Sequence, residues 1–370
     1  MITFSPDKFG YYEVDGRPTY SKLEAAEWSY FNKSTIHWNF NDDIFSKVNW
    51  TTEPSNSLWD LYKMRARQIR DAYDYVVLWY SGGSDSHNML LAWIDAGLKI
   101  DEIATTWNYE TTGDPLNHYN AEITNVVIPD VKKLQESGLE FNFRIIDMAK
   151  PSLLLFDTWK TNFEYYINCH FSPNNPARAM FRETIPEYKN MIAEGKKVCF
   201  VWGKEKPFLG YEPTLKRHYF HFFDNGDNCV SPYVQQNYNK GWYDEFFYWS
   251  PDFPLIPVKQ AHVILNFLEH ATHDTLFCDF SHNGYSVKTG KYLKDRIIKM
   301  LLYPKWSNDI FSNGKTQSFT YSQRDDWFFT GNLEQKNKFI DITNSYFNRM
   351  DPDNKQRISV SPMFSRKYLI

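Results

Sequence analysis

The sequence predicts an α/β fold built on a parallel sheet with helices on both faces, and three features point to it. Strand-like and helix-like segments alternate from residue 57 to residue 202, the order that successive β-α-β units require. The run Tyr75-Val76-Val77-Leu78-Trp79-Tyr80 is β-branched, aliphatic or aromatic at every position, as expected of a strand buried on both faces. A serine–glycine turn, Ser81 to Ser86, follows that strand directly and opens a helical pattern.

The elements follow in chain order. Residues 1–56 have weak periodicity and read as an N-terminal extension, with a short hairpin from Tyr11 to Pro18 and a short helix from Ser21 to Phe31. From Ser57 the apolar positions Leu58, Leu61, Tyr62, Ile69 and Ala72 recur at helical spacing, with Ser57 suited to the N-cap. After the first strand a helix should run from Asp85 to Ala96, terminated by Gly97. A second strand is expected from Ile103 to Trp107, and helical material from Asn117 to Glu136, interrupted by Pro129. A third strand covers Leu139 to Ile146, and helical segments near 152–168 and 177–194 lead to a fourth, Lys197 to Trp202. Beyond Gly203 the pattern weakens: His218 to Phe223 reads as a strand and Pro257 to His270 as an amphipathic helix. The expected organisation is an extension over 1–56, an α/β domain over 57–225, and an aromatic-rich, mainly helical region over 226–370 that shapes a substrate pocket or an interaction surface.

Composition bounds the function. Aromatic residues make up 18% of the 370 positions, enough large rings to supply a sizeable core. A net charge of −4 gives no global attraction to polyanions, so nucleic acid is not a favoured partner. The basic residues Lys63, Arg65, Arg67 and Arg70 of one predicted helix either meet phosphates or form a solvated face. The four cysteines, Cys169, Cys199, Cys229 and Cys278, form no C-x-x-C pair, which argues against a zinc ribbon or dithiol site. His270, His273, Cys278 and His282 have irregular spacing for a metal site, and helix-end histidines beside acidic residues explain them as well. The first residues lack the basic-then-apolar plan of a signal peptide. No apolar run approaches the ~20 residues that span a bilayer, so the chain reads as cytoplasmic with no membrane partner. A homodimer is compatible with this reading.

The turn Ser81-Gly82-Gly83-Ser84-Asp85-Ser86 carries the chemistry because of its place. Ligands of an open parallel sheet bind beyond the carboxyl ends of the strands, where a helix N-terminus offers unpaired N–H groups to phosphate oxygens. Two glycines let the backbone approach those oxygens. Ser81, Ser84 and Ser86 add hydroxyl donors, and Asp85 suits Mg²⁺, directly or through water. A Walker loop is absent, since no G-x-x-x-x-G-K-[ST] occurs, and so is the three-glycine dinucleotide fingerprint.

Tyr80-Ser81-Gly82-Gly83-Ser84-Asp85-Ser86 resembles the S-G-G-x-D-S pyrophosphate loop of the PP-loop ATP pyrophosphatases. That superfamily includes asparagine synthetase, NAD synthetase, tRNA lysidine synthetase and the sulfonucleotide reductases. The resemblance is close over the six-residue loop and loose over residues 75–210. It implies a Rossmann-like sheet, ATP and Mg²⁺ as cofactors, and cleavage of ATP to AMP and pyrophosphate through an adenylated substrate. It further implies that Ser81, Gly83, Asp85 and Ser86 hold pyrophosphate and Mg²⁺, with Asp85 as the metal-binding carboxylate.

Three weaker signals surround the loop. Trp107 and Asn108, at the end of the second strand, stand where similar enzymes contact adenine and ribose; Trp107 reads equally as a packed core ring. Gly203-Lys204-Glu205-Lys206 follows the fourth strand, and Lys204 or Lys206 would neutralise charge on departing pyrophosphate, or form a charged turn. Thr111-Thr112-Gly113 with Glu122 resembles segments of the sulfonucleotide reductase branch, without its first aspartate. Residue 2 is Ile, so the cysteine nucleophile of a class II glutaminase is missing. The leading expectation is an adenylating ligase or transferase whose carbonyl or carboxylate substrate is not specified. The alternatives are a sulfonucleotide (PAPS) reductase-like or sulfur-transfer enzyme, and a non-catalytic nucleotide-binding protein.

Overall fold

In the computed structural model, residues 8–107, 122–147, 181–203, 208–224, 241–270, 298–305, 334, 337, 340–341 and 363–370 are described. The chain begins with a small antiparallel sheet of β1 (Tyr11–Val14), β2 (Arg17–Thr19) and β3 (His37–Asn39), in the order β2-β1-β3. Helix α1 (Lys22–Asn32) is started by Ser21, whose hydroxyl accepts from the Glu24 amide. A short helix, α2 (Asp42–Phe45), follows β3. This extension is no appendage, because Tyr12, Trp38, Phe40 and Phe45 are fully buried in the same core as the central sheet.

Helix α3 (Leu58–Ala72) has Ser57 at its N-cap and buries Leu58, Leu61, Tyr62, Ala66 and Ile69. It leads into β4 (Tyr75–Trp79), α4 (Ser84–Asp95) and β5 (Glu102–Thr106). A π-helical turn, Ile123–Val127, runs without a break into α5 (Ile128–Glu136), which carries Pro129. Then come β6 (Asn142–Ile146), a 3₁₀ turn (Phe181–Thr184), α6 (Pro186–Ala193) and β7 (Val198–Trp202). Strands β8 (Phe208–Glu212) and β9 (Arg217–His221) pair as a hairpin, β10 (Trp242–Phe246) returns to the main sheet, and α7 (Leu255–His270) follows. Residues 298–302 are helical, and β11 (Tyr368–Leu369) adds to β9.

The central sheet is parallel throughout, with five strands in the order β10-β7-β4-β5-β6. The chain winds outward from β4 through β5 to β6, then crosses back to β7 and β10 on the other side. The strand order therefore reverses between β4 and β7, which makes that gap the switch point where such sheets bind ligands. Both faces are covered: Val76 and Leu78 enter the main core, whereas Val77 and Phe200 pack with Phe181, Ile185 and Tyr188 in a second one. Among the described residues, no helix is long and apolar enough to cross a membrane.

Two expectations change. The boundary at 225/226 does not end the α/β unit, because β10 lies beyond it and completes the sheet; β10 and β11 are strands in a region expected to be mainly helical. The basic residues of α3 do not form one solvated face. Arg65 is buried on Glu245 at 2.6 Å, Arg70 pairs with Asp101, and Lys63 with Asp60, so three of its four cations are held within the chain.

Candidate functional site

The loop expected to bind phosphate lies at the switch point. Gly83 is the N-cap of α4 with extended backbone angles (φ −81°, ψ 159°), and the first bond of the helical ladder runs from the His87 amide to the Gly83 carbonyl at 3.0 Å. The amides of residues 84–86 precede that ladder and point out of the N-terminal end of the helix, where the dipole is positive. Among the described residues, the Ser84 and Ser86 amides have no hydrogen-bond acceptor. Ser81 is exposed and Gly83 and Asp85 are partly exposed, whereas Gly82, Ser84 and Ser86 are buried, so the turn is open to solvent only at alternate positions.

The three serines divide the work differently from the expectation. The Ser86 hydroxyl donates to the Gly83 carbonyl at 3.0 Å and accepts from the Ser81 amide at 3.2 Å, closing the loop on itself. Ser84 is buried, and its hydroxyl has no hydrogen-bond partner among the described residues. Of the hydroxyls expected to reach a ligand, Ser81 alone belongs to an exposed residue.

Three glycines set the loop's shape for different reasons. Gly82 has φ +76°, and a Cβ there would lie 3.0 Å from both the Glu122 carbonyl oxygen and Val127 Cγ2. The π-turn thus presses on the loop at this point, which only glycine allows. Gly203, just after β7, would put a Cβ 2.9 Å from Ser86 Cα, so the end of β7 packs against the first turn of α4. Gly83 differs. Its φ suits any residue, and the nearest atom to an added Cβ is Ser81 Oγ at 3.4 Å, an ordinary contact. Nothing in the fold requires glycine there, and the space it leaves opens onto the helix N-terminus.

Asp85 is gripped by a cluster of buried tyrosines that the sequence did not suggest. The Tyr303 hydroxyl donates to Asp85 Oδ1, and the Tyr248 hydroxyl donates to the Asp85 carbonyl at 2.8 Å while accepting from Asn88 Nδ2 at 2.9 Å. Tyr62 stacks edge-on to Tyr248 at 5.4 Å and donates to the Leu302 carbonyl at 2.9 Å. Burial, with the nearby Asp85 charge, pushes the Tyr303 phenol well above the usual tyrosine range and keeps it a proton donor.

A second network brackets the loop. The Tyr80 hydroxyl donates to Asp130 Oδ2 at 2.6 Å and lies 2.9 Å from His87 Nδ1. Because its single proton goes to Asp130, the Tyr80 oxygen accepts from Nδ1–H, which fixes the tautomer of His87. Burial lowers the His87 pKa, with Asp130 pulling the other way. The residues just before and just after the loop are thereby fastened to α5.

The remaining expected residues fall out as follows. Trp107 is half-buried and packs against the main core, with its amide donating to the Ile146 carbonyl at 3.0 Å. Trp79 and Trp202, at the ends of β4 and β7, lie 4.6 Å apart between ring centroids. Asn108, Lys204, Lys206, Thr111, Thr112 and Gly113 lie outside the described residues, as do His273, Cys278 and His282. His270 closes α7, and its side chain is not described.

Asp85 is the loop's own carboxylate, and no group of three or more His, Cys, Asp or Glu able to hold a metal occurs among the described residues. Such a donor set does not make a protein cage. It fits Mg²⁺, which keeps several waters and binds through one or two carboxylates together with substrate phosphates. The chain matches no family model, no curated protein and no solved structure.

Proposed function

We propose that the protein is a PP-loop ATP pyrophosphatase that binds ATP through residues 81–86 and cleaves it between the α- and β-phosphates to adenylate a carbonyl or carboxylate substrate. The observation that carries this reading is the start of α4 at the switch point, where Gly83 and Asp85 are partly exposed, the Ser84 and Ser86 amides lack acceptors among the described residues, and glycine at 83 is not required by the fold. A triphosphate tail needs such donors and such an unobstructed approach.

In the proposed reaction a substrate oxygen attacks the α-phosphorus. The new P–O bond forms as the bond to the bridging oxygen breaks, and pyrophosphate leaves with the electron pair. A nucleophile, on this reading an amine, then displaces AMP. The loop amides stabilise charge growing on pyrophosphate, and Ser81, Gly82 and Gly83 shape its approach. Bound Mg²⁺ would be held by Asp85 and supply further charge neutralisation. Lys204 and Lys206, which follow Gly203 in the chain, are assigned to the departing pyrophosphate.

The reductase-like alternative needs a reactive thiol. Cys199 is fully buried and its thiol is pushed well above the usual range by burial first and by Glu245 second, so it does not supply one. Incubation with labelled ATP across carboxylate, amide and ureido acceptors tests the proposal. Acceptor-dependent AMP and pyrophosphate in equal amounts are expected. Tight ATP binding with no AMP under any condition would favour a non-catalytic nucleotide-binding protein, and turnover that stops when a cysteine is replaced would favour reduction or sulfur transfer.

A further inference from the structure

We propose that Tyr303 is the positioning residue for Asp85, holding the loop carboxylate in the orientation from which it meets the divalent cation accompanying a bound triphosphate. The inference rests on the nucleotide reading above and assigns a role there to the C-terminal part of the chain, 218 residues away in sequence.

Among the described residues, Tyr248 and Tyr303 each hold Asp85 by a hydrogen bond. Its carbonyl accepts from Tyr248 at 2.8 Å, which pins the backbone of the first turn of α4. Its side chain accepts from Tyr303 through Oδ1, which sets the side-chain rotamer. An aspartate in the first turn of a helix otherwise reaches back toward the open amides of that turn, the same donors that phosphate oxygens would need. The phenol engages Oδ1. It brings no charge of its own.

The phenol is itself held rigidly. Tyr303 is 2% exposed, its ring centroid lies 6.0 Å from that of Tyr248, and its amide donates to the Lys299 carbonyl at 2.9 Å. The preceding residue is tied to α3, since the Leu302 carbonyl accepts from Tyr62, whose oxygen in turn accepts from Gln260 Nε2 at 3.1 Å. A hydrogen-bond donor this well packed selects one orientation of its acceptor, which is what an outer partner of a metal-binding carboxylate must do.

The test compares wild type, Tyr303→Phe and Tyr248→Phe, each in full-length protein. Free Mn²⁺ is followed by electron paramagnetic resonance during titration at saturating ATP, ATP affinity is measured separately in EDTA, and thermal melts are recorded without ligand. Tyr303→Phe is expected to weaken the Mn²⁺ midpoint about 10-fold or more while leaving ATP affinity in EDTA within about twofold. Tyr248→Phe, which loses an equally buried hydroxyl that bonds the Asp85 backbone and leaves its side chain in place, should lower the melting temperature and weaken the Mn²⁺ midpoint less than Tyr303→Phe does. An unchanged or tighter midpoint in Tyr303→Phe overturns the proposal, and so does an equal weakening in both variants, which would mean general loosening of the cluster. Wild type binding no ATP, with or without Mn²⁺, sinks the nucleotide reading itself and this inference with it.

Discussion

At the start of β5, polar groups are closed off by the fold; at the end of β4, they are left open. Asp101 accepts from Arg70, Lys99 and the Val76 amide, and although burial works to raise its pKa, those donors hold it below the usual carboxylate range. Glu102, fully buried, takes Arg144 at 2.8 Å, Tyr75 at 2.9 Å and the Tyr188 hydroxyl. At the other end of the sheet, the start of α4 holds the Ser84 and Ser86 amides without an acceptor among the described residues, beside partly exposed Gly83 and Asp85. A closed polar cluster is accounted for by folding alone, since its members satisfy one another. Open donors of a rigid helix start, framed by two sterically required glycines, are not, and this difference is what directs the functional reading to one end of the molecule.

The largest expected effect lies at the closed end. Glu102→Ala strands the buried Tyr188 hydroxyl and takes from partly exposed Arg144 and Tyr75 a shared acceptor, and it should cost about 3–5 kcal/mol in chemical denaturation with ATP affinity unchanged. A loss of nucleotide binding in a variant that stays folded would break the division between the two ends. Next comes a pH effect, again confined to stability. His221 is buried, and burial first, then the Lys367 charge, lowers its pKa from the ordinary 6.5 to about 4. Its folded pKa lies below its unfolded one, so the stabilisation is complete above pH 6.5 and is lost as pH falls toward about 4. The loss is at most roughly 3 kcal/mol. Melting temperatures of wild type and His221→Phe across that window check it, the variant being expected to show a flatter acid limb.

Smaller effects sharpen the comparison inside the loop. Gly82→Ala and Gly203→Ala each force a Cβ into contacts of 3.0 Å or less, and about 1–3 kcal/mol of destabilisation is expected for each. Gly83→Ala should change stability least, by about 0.5–1 kcal/mol, the cost of alanine at the N-cap. Yet it should weaken ATP binding tenfold or more, about 1.4 kcal/mol, because its methyl occupies the space assigned to a phosphate. Calorimetric melts beside ATP titrations separate the two kinds of glycine. If Gly83→Ala binds ATP like wild type, the approach to the helix start is not where the phosphates lie.

The parts of the fold legible in the sequence are those whose burial is written in their own residues. Val76, Val77 and Leu78 announce β4, and Val198 to Trp202 announce β7, because both faces of each are apolar. Strand β10 reads as polar, since Trp242-Tyr243-Asp244-Glu245-Phe246 carries two adjacent carboxylates. Both are buried by partners far along the chain: Asp244 by Arg182 and Trp202 Nε1, Glu245 by Arg65, Lys8 and Tyr73. Hydropathy cannot see a partner 180 residues away, so the fifth strand and the placing of the 225/226 boundary were lost together. The site divides the same way. Residues 81–86 are contiguous and read as a unit, whereas the grip of Tyr248 and Tyr303 on Asp85 exists only through contacts across 163 and 218 residues. The inward turn of Ser84 was equally hidden, because it depends on how α4 packs.

Amide chemical shifts of the start of α4 test the central claim most directly. In transverse-relaxation-optimised spectra of the labelled protein, titration with inorganic pyrophosphate and Mg²⁺ should move the Gly83, Ser84 and Ser86 resonances first and furthest. Resonances at the start of β5, among them Asp101 and Glu102, should stay in place. Shifts centred elsewhere, or none at millimolar pyrophosphate and ATP, would contradict the account.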